Sequence, residues 1–162
     1  MPGHLGSGGT PWAVRTLSLA GGGELRRARL ISFDTGVGSV IGRLDVPAED
    51  LGSLVETFVL NELRAQASWS SREATIEFVF WRYRDRAEVD IVLVHPDGGI
   101  VAIEVKMSSQ PLPAHTRGLA SFCQRYERPD RPVRTYVFYL GDRVVPYQEH
   151  WFVPISALGG LG

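Results

Sequence analysis

The stretch Glu88–Lys106, EVDIVLVHPDGGIVAIEVK, constrains the fold more than any other part of the chain. Two short runs rich in Val, Ile and Leu flank His-Pro-Asp-Gly-Gly, whose residues favour a tight turn. The runs are too short for helices, so the segment reads as an antiparallel hairpin, with strands Glu88–Val94 and Ile100–Lys106. With Val94 opposite Ile100, Asp90 faces Glu104 and Glu88 faces Lys106. Directly opposed residues point to the same side of a sheet, and so do residues two apart along a strand. This register predicts Glu88, Asp90, Glu104 and Lys106 on one face at one end of the sheet. It places Val89, Ile91, Leu93, Val101, Ile103 and Val105 on the other face, as core.

Carboxylates gathered this closely repel by roughly 3 kcal/mol per pair at an effective dielectric near 20. Either one of them holds a proton or a cation lies between them. Mg²⁺, which takes one or two carboxylates together with phosphate oxygens, suits such a group. The chain has 17 basic residues, and Lys106 is its only lysine. A compact ammonium can contact a phosphate oxygen or orient a water where a planar guanidinium would place its charge differently. A plainer reading stays open, in which Glu88 and Lys106 form a surface pair beside a solvated Asp90.

The rest of the chain builds an α/β domain around this hairpin. Residues 1–30 are rich in Gly, Ser and Thr and are expected to be disordered, leaving 31–160 as one domain. Arg29–Leu44 is a short apolar segment with a turn at Thr35-Gly36. Helical spacing of Leu51, Leu54, Val55, Phe58, Val59 and Leu63 predicts a helix from Asp50, and alternation predicts a strand over Ala74–Tyr83. A helix is expected over Ala114–Glu127, with Leu119, Phe122, Cys123 and Tyr126 on its apolar stripe. A strand from Val133 and a proline-marked edge hairpin near Val145 and His150 complete a mixed sheet flanked by helices.

Composition excludes several classes. A net charge of -1 provides no global field for nucleic acid or membrane, so such contacts would rest on local arginines. One cysteine, Cys123, rules out an internal disulfide and a cysteine-based zinc cluster, and its place on the stripe predicts a core thiol. The single lysine is not in a Gly-Lys-Ser/Thr step, so no Walker A motif is present. With no long apolar run and no apolar leader, the expectation is a cytoplasmic protein without a membrane span. His4, His95, His115 and His150 lack metal-ligand spacing. Arg82, Arg84 and Arg86, and Arg125 to Arg134, could track phosphates or simply form a charged edge. Trp69, Trp81 and Trp151 read as core or interface residues.

Asp90 followed by Glu104-Val105-Lys106 resembles the PD-(D/E)XK nuclease motif, a carboxylate and an E-x-K on adjacent strands. With LVETFVLNELRAQASWS, EVDIVLV, IVAIEVKMSS, YLGDRVVPY and WFVPISAL, the chain from about Asp34 to Leu158 is similar to one family. That family is domain of unknown function 4143, the C-terminal domain of a group of bacterial and archaeal AAA-type ATPases. The resemblance implies a PD-(D/E)XK, restriction-endonuclease-like core in which Asp90, Glu104 and Lys106 are the motif residues. It implies a metal site for Mg²⁺ or Mn²⁺ formed by Asp90, Glu104 and Glu56, with Glu88 supporting from behind. Glu56 has a second reading, because Ser53-x-x-Glu56 is also a capping-box pattern.

The chain departs from the family in two places. No ATPase precedes the domain here, which leaves a stand-alone domain, a fragment or half of a split system. Asp85-Arg86 stands where Asp-Gly is common before the motif strand. Two functions follow as expectations: a Mg²⁺-dependent nuclease acting on nucleic acid, or a non-catalytic module binding DNA or a partner for an ATPase.

Overall fold

The computed structural model describes residues 12–16, 29–31, 48–69, 76–84 and 87–160. Most of the glycine-rich N-terminal stretch, the Thr35-Gly36 turn, the Asp85-Arg86 step and His4 lie outside the described residues. Two short strands, β1 (Trp12–Thr16) and β2 (Arg29–Ile31), precede helix α1 (Ala48–Trp69). Strands β3 (Glu77–Tyr83), β4 (Ala87–Val94) and β5 (Ile100–Lys106) follow as a meander. A 3₁₀ turn (Pro113–Thr116) leads into α2 (Arg117–Tyr126), then come β6 (Val133–Tyr139), β7 (Val145–Tyr147) and β8 (His150–Pro154). The expected Ala114–Glu127 helix thus begins as a 3₁₀ turn, with Pro113 at its first position.

The fold is α/β. Strands β3 to β8 form a mixed sheet in the order β3-β4-β5-β6-β8-β7, extended beyond β3 by β1 and β2. The β3–β4, β4–β5 and β7–β8 pairs are antiparallel, while β5–β6 and β6–β8 are parallel. The parallel β5–β6 pair requires a crossover, which α2 provides. No helix among the described residues is long and apolar enough to cross a membrane.

Two apolar layers hold the sheet between the helices. On one side Val55, Val59 and Leu60 of α1 pack on Ile91, Ile103, Val105 and Phe138. On the other, Leu119 and Phe122 of α2 pack on Val79, Trp81, Val89, Val92, Ile100 and Ala102. Cys123 is buried in α2, as its stripe position predicts. Trp81 is buried, with Nε1–H donating to the Tyr126 hydroxyl at 3.0 Å, whereas Trp69 and Trp151 are exposed.

The hairpin turn follows its chemistry. Gly98 N–H donates to the His95 carbonyl and His95 N–H to the Gly99 carbonyl, both at 2.8 Å, and Gly98 takes φ 89. That positive φ is where glycine carries no steric cost. The register follows too, with Val94 opposite Ile100 and Ile91 opposite Ile103.

The placement of Glu88 and Val89 differs from the expectation. Val79 pairs with Val92 but Trp81 pairs with Val89, so β4 carries one residue more than β3 across this interval. Such a bulge reverses the side-chain alternation on either side of it. Val89 therefore packs under α2 instead of beside Ile91 under α1. Glu88, its neighbour, turns the opposite way and pairs with Arg82 (2.6 Å), away from Lys106.

Gly118, in the first turn of α2, lies against this bulged strand. A Cβ there would collide with the Glu88 carbonyl oxygen and with Glu104 Oε1. Alanine is favoured over glycine in a helix by about 1 kcal/mol, but overpacking against fixed backbone costs about 1–3 kcal/mol or more. Gly118→Ala should therefore lower the urea midpoint despite its better helix propensity, and an unchanged or higher midpoint would contradict this packing.

Candidate functional site

The bulge opens the β4 edge of the β4–β5 ladder at Asp90. Beyond the Ile91–Ile103 pair, the Asp90 side chain takes over the bonding, with Oδ2 accepting from the Val105 N–H at 2.8 Å. A carboxylate bonded to the backbone of β5 stands beside the residues flanking Val105. Those residues are Glu104 and Lys106.

Glu104 alternates with Ile100 and Ala102, which places it under α2, and it is only 3% exposed. Gly118 supplies the space above Oε1. Lys106 Nζ stands 2.7 Å from Glu104 Oε2, a buried oxygen with no other polar partner among the described residues. Burial pushes the Glu104 carboxyl up from 4.5 to about 9, and the Asp90 charge adds to the rise against the opposing Lys106. Without a further cation, Glu104 holds its proton at neutral pH.

Lys106 is about one-third exposed. Burial alone would depress its ammonium, but Glu104, Asp90 and Glu56 together outweigh that and raise it. Lys106 thus remains charged, and Glu56 is within its electrostatic reach. Glu56 is half-buried in α1, which begins at Ala48, so Ser53 lies inside the helix and cannot be its N-cap. The Ser53 carbonyl instead accepts from Thr57 Oγ1 at 2.8 Å, which removes the capping-box reading.

The structure brings Asp90, Glu104 and Lys106 together, with Glu56 within electrostatic reach, and removes Glu88. The Glu88 carboxylate is exposed and engages Arg82 Nε and Nη2 at 3.2 and 2.6 Å. The bulge is the physical reason: it turns position 88 to the sheet face opposite Lys106. His115 enters from the 3₁₀ turn, a neighbour that its spacing in the chain does not reveal. Burial first, then the Lys106 charge, depress its imidazole.

Among the described residues, no group of three or more His, Cys, Asp or Glu side chains is arranged to hold a metal ion. The pair Asp90 and Glu104 nonetheless fits a small hard cation. Both ligand atoms are oxygen, and their mutual repulsion is what a cation relieves. The remaining histidines differ in setting. His95 lies half-exposed in the hairpin turn beside Asp97, and His150 is buried against Thr135 Oγ1 at 2.7 Å.

The raised Glu104 carboxyl links stability to pH. Its folded value, about 9, exceeds the ordinary 4.5, so the folded state binds the proton more tightly. The resulting stabilisation is complete below pH 4.5 and is lost as pH rises through about 9. In chelator, the melting temperature should fall across that window, and Glu104→Gln should flatten the fall. Near about pH 8 the variant should melt higher than the parent by several degrees. Parallel pH profiles for the two proteins would contradict the burial of this charge.

No curated protein and no solved structure matches the chain. A family model described as domain of unknown function (DUF4143) matches residues 51–158, a span that contains Glu56, Asp90, Glu104 and Lys106. With that match covering well over half of its length, the chain belongs to the DUF4143 family.

Proposed function

We propose that this domain is a PD-(D/E)XK nuclease-like phosphodiester hydrolase acting on nucleic acid, of the kind that accompanies AAA-type ATPases. The observation that carries the reading is Glu104: a carboxyl sunk under α2 between Asp90 and the chain's only lysine, whose Nζ lies 2.7 Å from Glu104 Oε2. A buried, repelled carboxylate destabilises the fold unless something uses it.

Asp90 and Glu104 are the residues that would hold Mg²⁺ or Mn²⁺, with Glu56 as the third carboxylate. Bound there, the ion lowers the pKa of a water and offsets charge on the phosphate. Asp90 is oriented for this by the Val105 amide, which donates to its Oδ2. To serve as a ligand Glu104 would act as the carboxylate, its proton released to solvent. Lys106 keeps its proton, so it acts as a donor that orients the attacking water or stabilises a phosphate oxygen, and not as a general base. The ATPase partner, in the same or a separate polypeptide, follows from the family resemblance described above.

A non-catalytic binding module is the competing function. Asp90 favours it, because its bond to Val105 N–H also serves to close the gap left by the bulge. The two separate in one experiment with single-stranded, duplex and branched DNA and with RNA, in Mg²⁺ or Mn²⁺. The hydrolase reading expects cleavage that falls at least about a hundredfold in Lys106→Ala and Asp90→Asn. It expects Glu88→Gln to stay within about twofold of the parent. Cleavage that survives Lys106→Ala and Asp90→Asn would be contamination. Absence of both cleavage and a metal-induced thermal shift would leave the module.

A further inference from the structure

We infer that Arg84 and Arg125, laid over the ring of Tyr83, form a clamp for a backbone phosphate of a nucleic-acid strand. The Arg125 guanidinium carbon lies 3.7 Å from the Tyr83 ring centroid and that of Arg84 lies 5.2 Å from it. Both arginines are exposed, and among the described residues neither pairs with an acidic side chain. Two like charges sharing one ring repel, and the ring quadrupole offsets only part of that. Stacking occupies the face of a guanidinium and leaves its in-plane N–H donors for an acceptor. An anion with several oxygens satisfies two such forks at once.

The platform is rigid. Tyr83 stacks on the buried Trp81 ring with an interplanar angle of 5°, and Trp81 is held in turn by Phe122 and Tyr126 of α2. Arg84 takes φ 42, a left-handed conformation that is uncommon for a residue with a Cβ and that marks sites the surrounding structure holds in place. Arg82, between them in sequence, is already committed to Glu88 on the opposite face.

The location supplies the ligand class. Strand β3 ends at Tyr83 where β4 begins at Ala87, and β5 ends at Lys106 at the same end of the sheet. Tyr83, Glu104 and Lys106 share the α2 face. Two inter-strand spacings and a few residues of rise separate the clamp from Glu104, about 10–15 Å. A strand lying across this end would place one phosphate on the arginines while another reached Glu104 and Lys106. The inference rests on the nucleic-acid reading proposed above and names where the substrate backbone is gripped.

Binding is measured in chelator, so that failure of hydrolysis and failure of the clamp are read separately. Fluorescence anisotropy of a labelled single-stranded oligonucleotide gives Kd over a salt series. Arg84→Gln with Arg125→Gln should weaken binding about tenfold and reduce the salt slope by about 1–2, without shifting the melting temperature beyond error. If that double variant does not fold, Arg84→Gln alone, at an exposed turn position, should weaken binding severalfold. Arg131→Gln with Arg134→Gln removes the same charge at the other end of the sheet and should change Kd less than twofold. Equal losses in both double variants, unchanged binding in the first, or no binding by the parent protein would each overturn the assignment. A parent protein that binds in this way yet never cleaves would keep the clamp and remove the hydrolase.

Discussion

The extra residue in β4 governs the site. Between Trp81–Val89 and Val79–Val92 the two strands differ by one position, and everything near the motif adjusts to that difference. Val89 joins the layer under α2, Ile91 stays in the layer under α1, and Asp90 between them is released from ordinary pairing. A carboxylate oxygen then accepts the Val105 amide. Bulges bend a strand and re-aim a side chain, and here they bring Asp90 alongside Glu104.

The second determinant is how closely α2 approaches the sheet. Gly118 allows the helix to settle on the Glu88 carbonyl and Glu104, and so Glu104 loses nearly all contact with water. The result is an unequal set of ionisable groups: a carboxyl pushed up to about 9 beside an ammonium that is raised as well. One group carries a proton that a cation can replace, and the other keeps a proton to donate. Groups whose environments drive their titrations in useful directions mark functional sites more often than ordinary surface pairs do. By contrast, Arg82 and Glu88 are both exposed and contribute the small energy typical of a surface ion pair.

The same end of the sheet gathers charge that the net value of -1 conceals. Lys106, Arg84 and Arg125 come from β5, the end of β3 and α2, and the three are far apart in the chain. A near-neutral protein can therefore present local cationic groups beside an acidic pair.

Much of the fold was legible before any coordinates. The five-residue turn, the pairing of Val94 with Ile100, the strand from Val133 and the edge hairpin all follow from period-two patterning and turn chemistry, which act across a few residues. The nearness of Asp90 to Glu104 was legible only in part, since the ladder pairing stops at Ile91–Ile103 and Asp90 reaches β5 through its side-chain bond to the Val105 amide. The misassignment of Glu88 and Val89 has a definite source. AEVDIVLV reads as a regular strand on its own, and its irregularity exists only relative to β3. Likewise, Ser53-x-x-Glu56 looks like a helix start until α1 is seen to begin at Ala48. Local residue order thus suffices for elements and their nearest pairing, because those energies are local. The side of the sheet each side chain takes beyond a bulge, and the depth to which Glu104 is withdrawn from solvent, are set by β3 and α2 closing over the hairpin. Desolvation belongs to the assembled layers, so no short stretch of chain can encode it.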